Sequence, residues 1–171
     1  KQVASWMTSL GYMSVKRKKI EGEKPTFIVL HGGPGFLGKS ALTVAQYAEK
    51  TGRPVVIYDQ IGCGESSLLK DKPKEFWQVE IFVEEFHALI KHLNIADNFA
   101  INGHSWGGLL AAEIAITQPQ GLKALILSSP LGDTQTWIDG VKELLSEMPQ
   151  EISSVILKHE AEGTTDAEEY M

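Results

Sequence analysis

An α/β fold, a mostly parallel sheet with helices on both faces, is what this sequence predicts, and three observations predict it. Short apolar runs alternate with segments of helical periodicity. The first two runs each end at a glycine-rich loop, as buried strands of parallel βαβ units do. The chain has 171 residues, enough for one domain with a sizeable core.

Residues 26–30 (Thr-Phe-Ile-Val-Leu) read as the first buried strand. Ser40 is placed to cap a helix running to about residue 50, with Leu42, Ala45 and Ala48 towards one face. Residues 54–58 form a second buried strand. Between residues 76 and 93, Val79, Val83, Phe86, Ile90 and Leu93 recur at spacings of three and four, the stripe of an amphipathic helix. A strand follows at 98–101, then an Ala- and Leu-rich helix at about 107–118 that Pro119 stops, then a strand at 122–127. Strands and helices in this alternation indicate parallel βαβ units, with helices covering both faces of the sheet.

After Ser129-Pro130 the texture changes. Trp137, Val141, Leu144, Leu145 and Met148 keep a helical period, Pro149 interrupts it, and Ile152, Val155, Ile156 and His159 begin a second helix. The predicted division is therefore residues 1–130 as a sheet domain and residues 131–171 as a helical addition, helical to its last residues.

Composition narrows the function classes. Apolar residues make up 43% and charged residues 22%, as in an ordinary globular chain. No stretch approaches the roughly 20 apolar residues of a membrane span, and residues 1–10 lack the apolar core of a signal peptide. The net charge of −6 offers no general attraction to nucleic acid phosphates. The one basic cluster, Lys16-Arg17-Lys18-Lys19, reads as a solvated strand or turn. The lone Cys63 precludes an internal disulfide and leans towards a reducing, cytoplasmic setting.

The chemistry is concentrated in three loops. Gly103-His104-Ser105-Trp106-Gly107 matches G-x-S-x-G between a predicted strand and a predicted helix. A nucleophile at the tip of such a turn is held in a strained backbone conformation. Side chains two before and two after it would collide, so glycine fits there. The turn lifts the Ser105 hydroxyl clear of the sheet and aims the next helix N-terminus at the reaction centre. The Trp106 amide then becomes one oxyanion donor.

His31-Gly32-Gly33-Pro34-Gly35 brings backbone N–H groups close to a ligand with no β-carbon in the way. Gly33 is the choice for the second oxyanion donor. His31 braces this loop and is not the base, because it lies upstream of the serine whereas this type of site takes its base from downstream. The loop lacks the G-K-[ST] ending of a phosphate loop and the spacing of a dinucleotide fingerprint. In the third loop, Asp59-Gln60-Ile61-Gly62-Cys63-Gly64-Glu65-Ser66, Asp59 ties down the turn by accepting backbone amides. Cys63 has no adjoining basic residue to lower its pKa and reads as an inert thiol.

Together these loops resemble the proline iminopeptidase (prolyl aminopeptidase) family of α/β-hydrolases. That family shows His-Gly-Gly-Pro-Gly, then Asp-Gln-x-Gly-x-Gly-x-Ser, then Gly-x-Ser-x-Gly-Gly, at similar spacing. Here the motifs are residues 31–35, 59–66 and 103–108, and the resemblance covers about residues 24–130. It implies an α/β-hydrolase fold and a serine peptidase that releases N-terminal proline or another small apolar residue from a peptide with a free N-terminus. It implies Ser105 as nucleophile, with Gly33 and Trp106 as the backbone oxyanion hole and no metal or organic cofactor. Residues 131–171 would be the start of the family's cap domain.

A serine needs a base, and the base an orienting acid. After Ser105 the aspartates are Asp133, Asp139 and Asp166, and the one histidine is His159. Asp133 and His159 have the right order, but His159 falls on a helical apolar face and not on a loop after a strand. The expectation is that the chain is the N-terminal part of a longer enzyme, inactive without its C-terminal part. An esterase, amidase or lactone hydrolase on the same scaffold, and a non-catalytic α/β fragment, are the alternatives.

Overall fold

The computed structural model describes residues 15–18 and 24–170. The signal-peptide reading of residues 1–10, Lys19 of the basic cluster and the side chains of Leu42, Ala45 and Ala48 lie outside what is described. The chain divides into two compact units, Lys1–Leu131 and Gly132–Met171.

The first unit is built on a five-stranded sheet: β1 (Val15–Lys18), β2 (Thr26–Leu30), β3 (Val55–Tyr58), β4 (Phe99–His104) and β5 (Leu122–Ser128). Their spatial order is β1-β3-β2-β4-β5. Strands β2 to β5 are parallel, and β1 runs antiparallel along β3 with Lys16 opposite Ile57. Thus three residues of the basic cluster belong to a strand, the outermost on that side among the described residues. The chain goes from β2 outward to β3, then crosses back over β2 to β4. This reversal makes a topological switch at the carboxyl end of β2, where open α/β sheets hold their ligands. The three motif loops leave β2, β3 and β4 at that same end.

Alternate residues of each strand face opposite sides. On one face Ile28, Leu30, Val56, Tyr58 and Ile101 pack with α2 (Val79–His92) and α3 (Trp106–Ile116). On the other, Phe27, Val29, Val55, Ile57 and Ala100 pack with Ala41 and Val44. The helix α2 buries Phe82, Glu85, Phe86, Leu89 and Ile90. Of the predicted stripe, Val79, Val83 and Leu93 are therefore its margins. Helix α3 is apolar on nearly every side and buries Gly107, Gly108, Leu110, Ala111 and Ile114, while Ile116 at its end is exposed.

Two helical boundaries differ from expectation. Residues 38–44 wind as a 3₁₀ segment, Gly38–Val44, and α1 proper is Ala45–Thr51. The reason lies in the loop after β3: the Gly38 amide donates to Asp59 Oδ1 at 2.6 Å, and the Ser40 hydroxyl donates back to the Leu37 carbonyl, so Ser40 caps nothing. Likewise Lys74–Phe76 forms its own 3₁₀ turn after Pro73, and α2 starts at Val79.

The second unit contains α4 (Thr134–Glu147) and α5 (Gln150–Glu162). Asp133 caps α4, its Oδ1 accepting the Thr136 amide at 2.7 Å. Pro149 separates the helices. Helix α5 does not continue to the last residues as expected. Gly163 adopts the left-handed conformation (φ 67°), which ends the helix, and the following residues form turns.

Candidate active site

Ser105 stands between β4 and α3 with φ 54° and ψ −121°, a conformation costly for a residue with a side chain. Its neighbours explain how it is held. A β-carbon on Gly103 would lie 2.0 Å from the Gly107 carbonyl oxygen, and one on Gly107 would lie 2.2 Å from the Leu30 carbonyl oxygen. These backbones touch, so only glycine fits. The Ser105 amide donates to the Ser128 carbonyl at 3.0 Å, and its own carbonyl accepts from Gly108 and Leu109, starting the helix. Trp106 is the first residue of α3, and a first helical amide has no intrahelical acceptor.

The glycine loop lies against this turn: a β-carbon on Gly32 would come within 3.3 Å of Ser105 Cβ. Gly33 has φ +121°, and a β-carbon there would meet the Gly35 amide at 2.5 Å. The structure thus brings Gly33, Ser105 and Trp106 to one end of the sheet.

His31 is buried, and its two ring nitrogens are occupied. Nδ1 faces the Gly32 carbonyl at 3.0 Å, while Nε2 accepts the Gln60 amide at 3.0 Å. A carbonyl only accepts, so the proton sits on Nδ1. Burial lowers its pKa, which keeps the ring neutral. Asp59 accepts the amides of Gly38 and Glu65, and a β-carbon on Gly64 would collide with its carboxylate. It is a loop anchor. Cys63 is buried, donates to the carbonyls of Phe36 and Gln60, and burial pushes its thiol up to about 11.

Asp133 and His159 are both engaged elsewhere. Asp133 is the α4 cap. His159 is buried, with Nδ1 2.7 Å from Thr164 Oγ1 and Nε2 2.6 Å from Glu169 Oε1. This arrangement fastens the turn after α5 to its helix. Among the described residues, no group of three or more His, Cys, Asp or Glu gathers as metal ligands would.

Beside the serine turn lies a cavity of about 400 Å³, lined by Pro34, Ile61, Trp77, Val79, Phe82 and Trp106 among others. Trp106 and Phe82 meet edge to face at 5.3 Å. Gly62 sits against the Trp77 indole, where a β-carbon would intrude to 2.8 Å. Sequence reasoning missed this cavity and two buried polar residues behind it, Gln60 and Glu85. Gln60 accepts the Trp106 indole N–H at 2.9 Å. Glu85 accepts the Ile61 amide at 2.8 Å, and burial raises its carboxyl to about 8. The available signal for Glu85 was a carboxylate amid the apolar positions of α2.

The protein-family profile for the alpha/beta hydrolase fold matches residues 25–165. A proline iminopeptidase of Heyndrickxia coagulans is 39% identical over 162 residues, covering 94% of this chain and 54% of that protein. One from Lactobacillus helveticus is 35% identical over 167 residues, covering 96% and 56%. The chain spans about half the length of these curated relatives. Among solved structures, VinJ has a TM-score of 0.86 at 35% identity, covering 92% of this chain and 53% of that one. The proline iminopeptidase of Mycobacterium smegmatis has a TM-score of 0.79 at 37% identity, covering 92% and 54%. The chain belongs to the alpha/beta hydrolase fold family, and within it is similar to the proline iminopeptidases.

Proposed function

We propose that this chain carries the nucleophile and oxyanion hole of a serine aminopeptidase of the proline iminopeptidase type. The observation that carries the reading is the Ser105 backbone, held at φ 54° by contacts only glycines permit, with the glycine loop against it. In this reading the Ser105 hydroxyl attacks the carbonyl carbon of an N-terminal residue. A histidine contributed by further chain takes the proton and passes it to the leaving amine, and water then releases the acyl group. The amides of Gly33 and Trp106 hold the oxyanion, aided by the α3 N-terminus. The apolar cavity receives a small apolar group such as a proline ring. No metal or organic cofactor enters these steps.

Residues 131–171 are, in the same reading, the start of a cap domain, and the rest of the enzyme supplies the acid, the histidine and the residues that bind the free amino group. In this reading the chain is active only together with that remainder. The buried, unpaired thiol of Cys63 suits a reducing, cytoplasmic setting. Among the described residues no helix is long and apolar enough to cross a membrane, and the net charge of −6 does not favour nucleic acid.

One observation favours a second reading, an esterase, amidase or lactone hydrolase. The lining residues Ile61, Trp77, Val79, Phe82 and Trp106 form an apolar wall that would accept the acyl group of an ester as readily as a proline ring. A panel of proline arylamides against short-chain esters, run on the whole protein containing this sequence, separates the two. Preference for arylamides with a free N-terminus is expected, and preference for simple esters overturns the peptidase reading. Fluorophosphonate labelling of Ser105 in that protein, lost in Ser105→Ala, is the outcome a non-catalytic fragment would not give.

A further inference from the structure

We propose that Gln60 is a positioning residue that ties the two halves of the oxyanion hole together. The inference rests on the reading of Ser105, Gly33 and Trp106 given above. Gln60 is 1% exposed, and each of its polar groups has a different task. Its side-chain Oε1 accepts the Trp106 indole N–H at 2.9 Å. Its Nε2 donates to the His31 carbonyl at 3.1 Å, and its main-chain N–H donates to His31 Nε2 at 3.0 Å. His31 in turn closes on the Gly32 carbonyl through Nδ1. One side chain therefore joins the residue that opens α3 to the segment immediately before Gly33.

The physical need is specific. A run with three glycines in five residues is intrinsically loose, yet oxyanion donors work only when held at the spacing of the developing charge. Misplacement by about 1 Å costs on the order of a hundredfold in rate. Only a side chain with both an acceptor and a donor can serve Trp106 and His31 at once. Leucine offers neither, and an ionised glutamate lacks the donor. Glutamine at residue 60 meets the requirement from the loop that leaves β3, the strand beside β2 in the sheet.

The test uses the whole protein containing this sequence, with a chromogenic amide or ester that it turns over. Gln60→Leu is expected to lower kcat about ten- to a hundredfold, with KM within about twofold, because the substrate's ground-state contacts remain. Trp106→Phe keeps an aromatic ring but removes the indole N–H, and a smaller fall in kcat is expected. The double variant should be no slower than Gln60→Leu alone, since both break one link. Unchanged kcat in Gln60→Leu, a change in KM alone, or effects that multiply in the double variant would overturn the proposal. Should Gln60→Leu fail to fold, Trp106→Phe decides: kcat equal to the parent overturns the link. Ser105→Ala keeps the two readings apart. If it still turns over substrate, the site itself is wrong and the Gln60 proposal falls with it. If it is dead while Gln60→Leu is fully active, only the Gln60 proposal falls.

Discussion

A β-carbon on Gly103 would lie 2.0 Å from a carbonyl oxygen, whereas one on Gly140, within α4, would meet nothing within 4 Å. The same substitution therefore has opposite outcomes at the two positions. Gly103→Ala forces the serine turn open and is expected to cost about 3 kcal/mol or more. Gly140→Ala removes backbone entropy from the unfolded chain and is expected to stabilise by roughly 0.5–1 kcal/mol. Denaturant midpoints of the two variants check both, and equal midpoints would refute the contact argument. Glu85 gives a pH prediction at the same scale. Burial raises its carboxyl from 4.5 to about 8, so the fold favours the protonated form. Its contribution is complete below the unfolded value of 4.5 and is lost as pH rises through about 8. The slope is at most about 1.4 kcal/mol per pH unit. Glu85→Gln should remove that slope and melt higher than the parent at pH 8 to 9, and parallel melting curves across pH would refute it. Ser105 and its glycines are legible in sequence because a turn's spacing encodes its own backbone contacts. Gln60 and Glu85 are not, because their partners His31, Trp106 and Ile61 are brought to them by the sheet and by α2.

Elements follow the same division between local and distant causes. Helix α2 is readable from its period because apolar burial demands that period, and its anchor is Phe86, fully buried with its ring 5.6 Å from Phe99. Phe86→Ala leaves a cavity between α2 and β4 and is expected to cost about 3–5 kcal/mol, read from the shift in denaturant midpoint. A cost below 1 kcal/mol would mean that α2 is not packed as described. The strands β2 and β3 are legible because parallel strands covered on both faces are continuously apolar. Strand β1 is not. Its sequence, Val-Lys-Arg-Lys, carries little apolar pattern, and its place depends on pairing with β3 some forty residues away. The start of α1 escaped for a related reason: Asp59, after β3, holds the Gly38 amide and sets how residues 38–44 wind.

For the whole molecule, β5 is where pattern and surroundings disagree. Its run Leu-Lys-Ala-Leu-Ile-Leu-Ser has the continuous apolar character of a strand covered on both faces. Yet among the described residues it is the last strand of the sheet, and Leu125, Ile126 and Leu127 are 37%, 44% and 43% exposed. Both an unpaired ladder and apolar side chains are on offer there, which is the form of edge that recruits another chain. The second unit has a related excess, with no buried residue in α4 and Trp137 and Leu144 exposed. A chain that spans about half the length of its curated relatives and leaves such a strand uncovered is expected to need further sheet against β5. The 171-residue chain by itself should therefore associate in a concentration-dependent way and bind an apolar dye such as anilinonaphthalene sulfonate. Ile126→Lys places a charge on the open strand, and should weaken both association and dye binding without altering Phe86 or the other residues of the core cluster. A monomer at high micromolar concentration that binds no dye would show that β5 is sufficient as an edge, and the need for a covering segment would fall with that result.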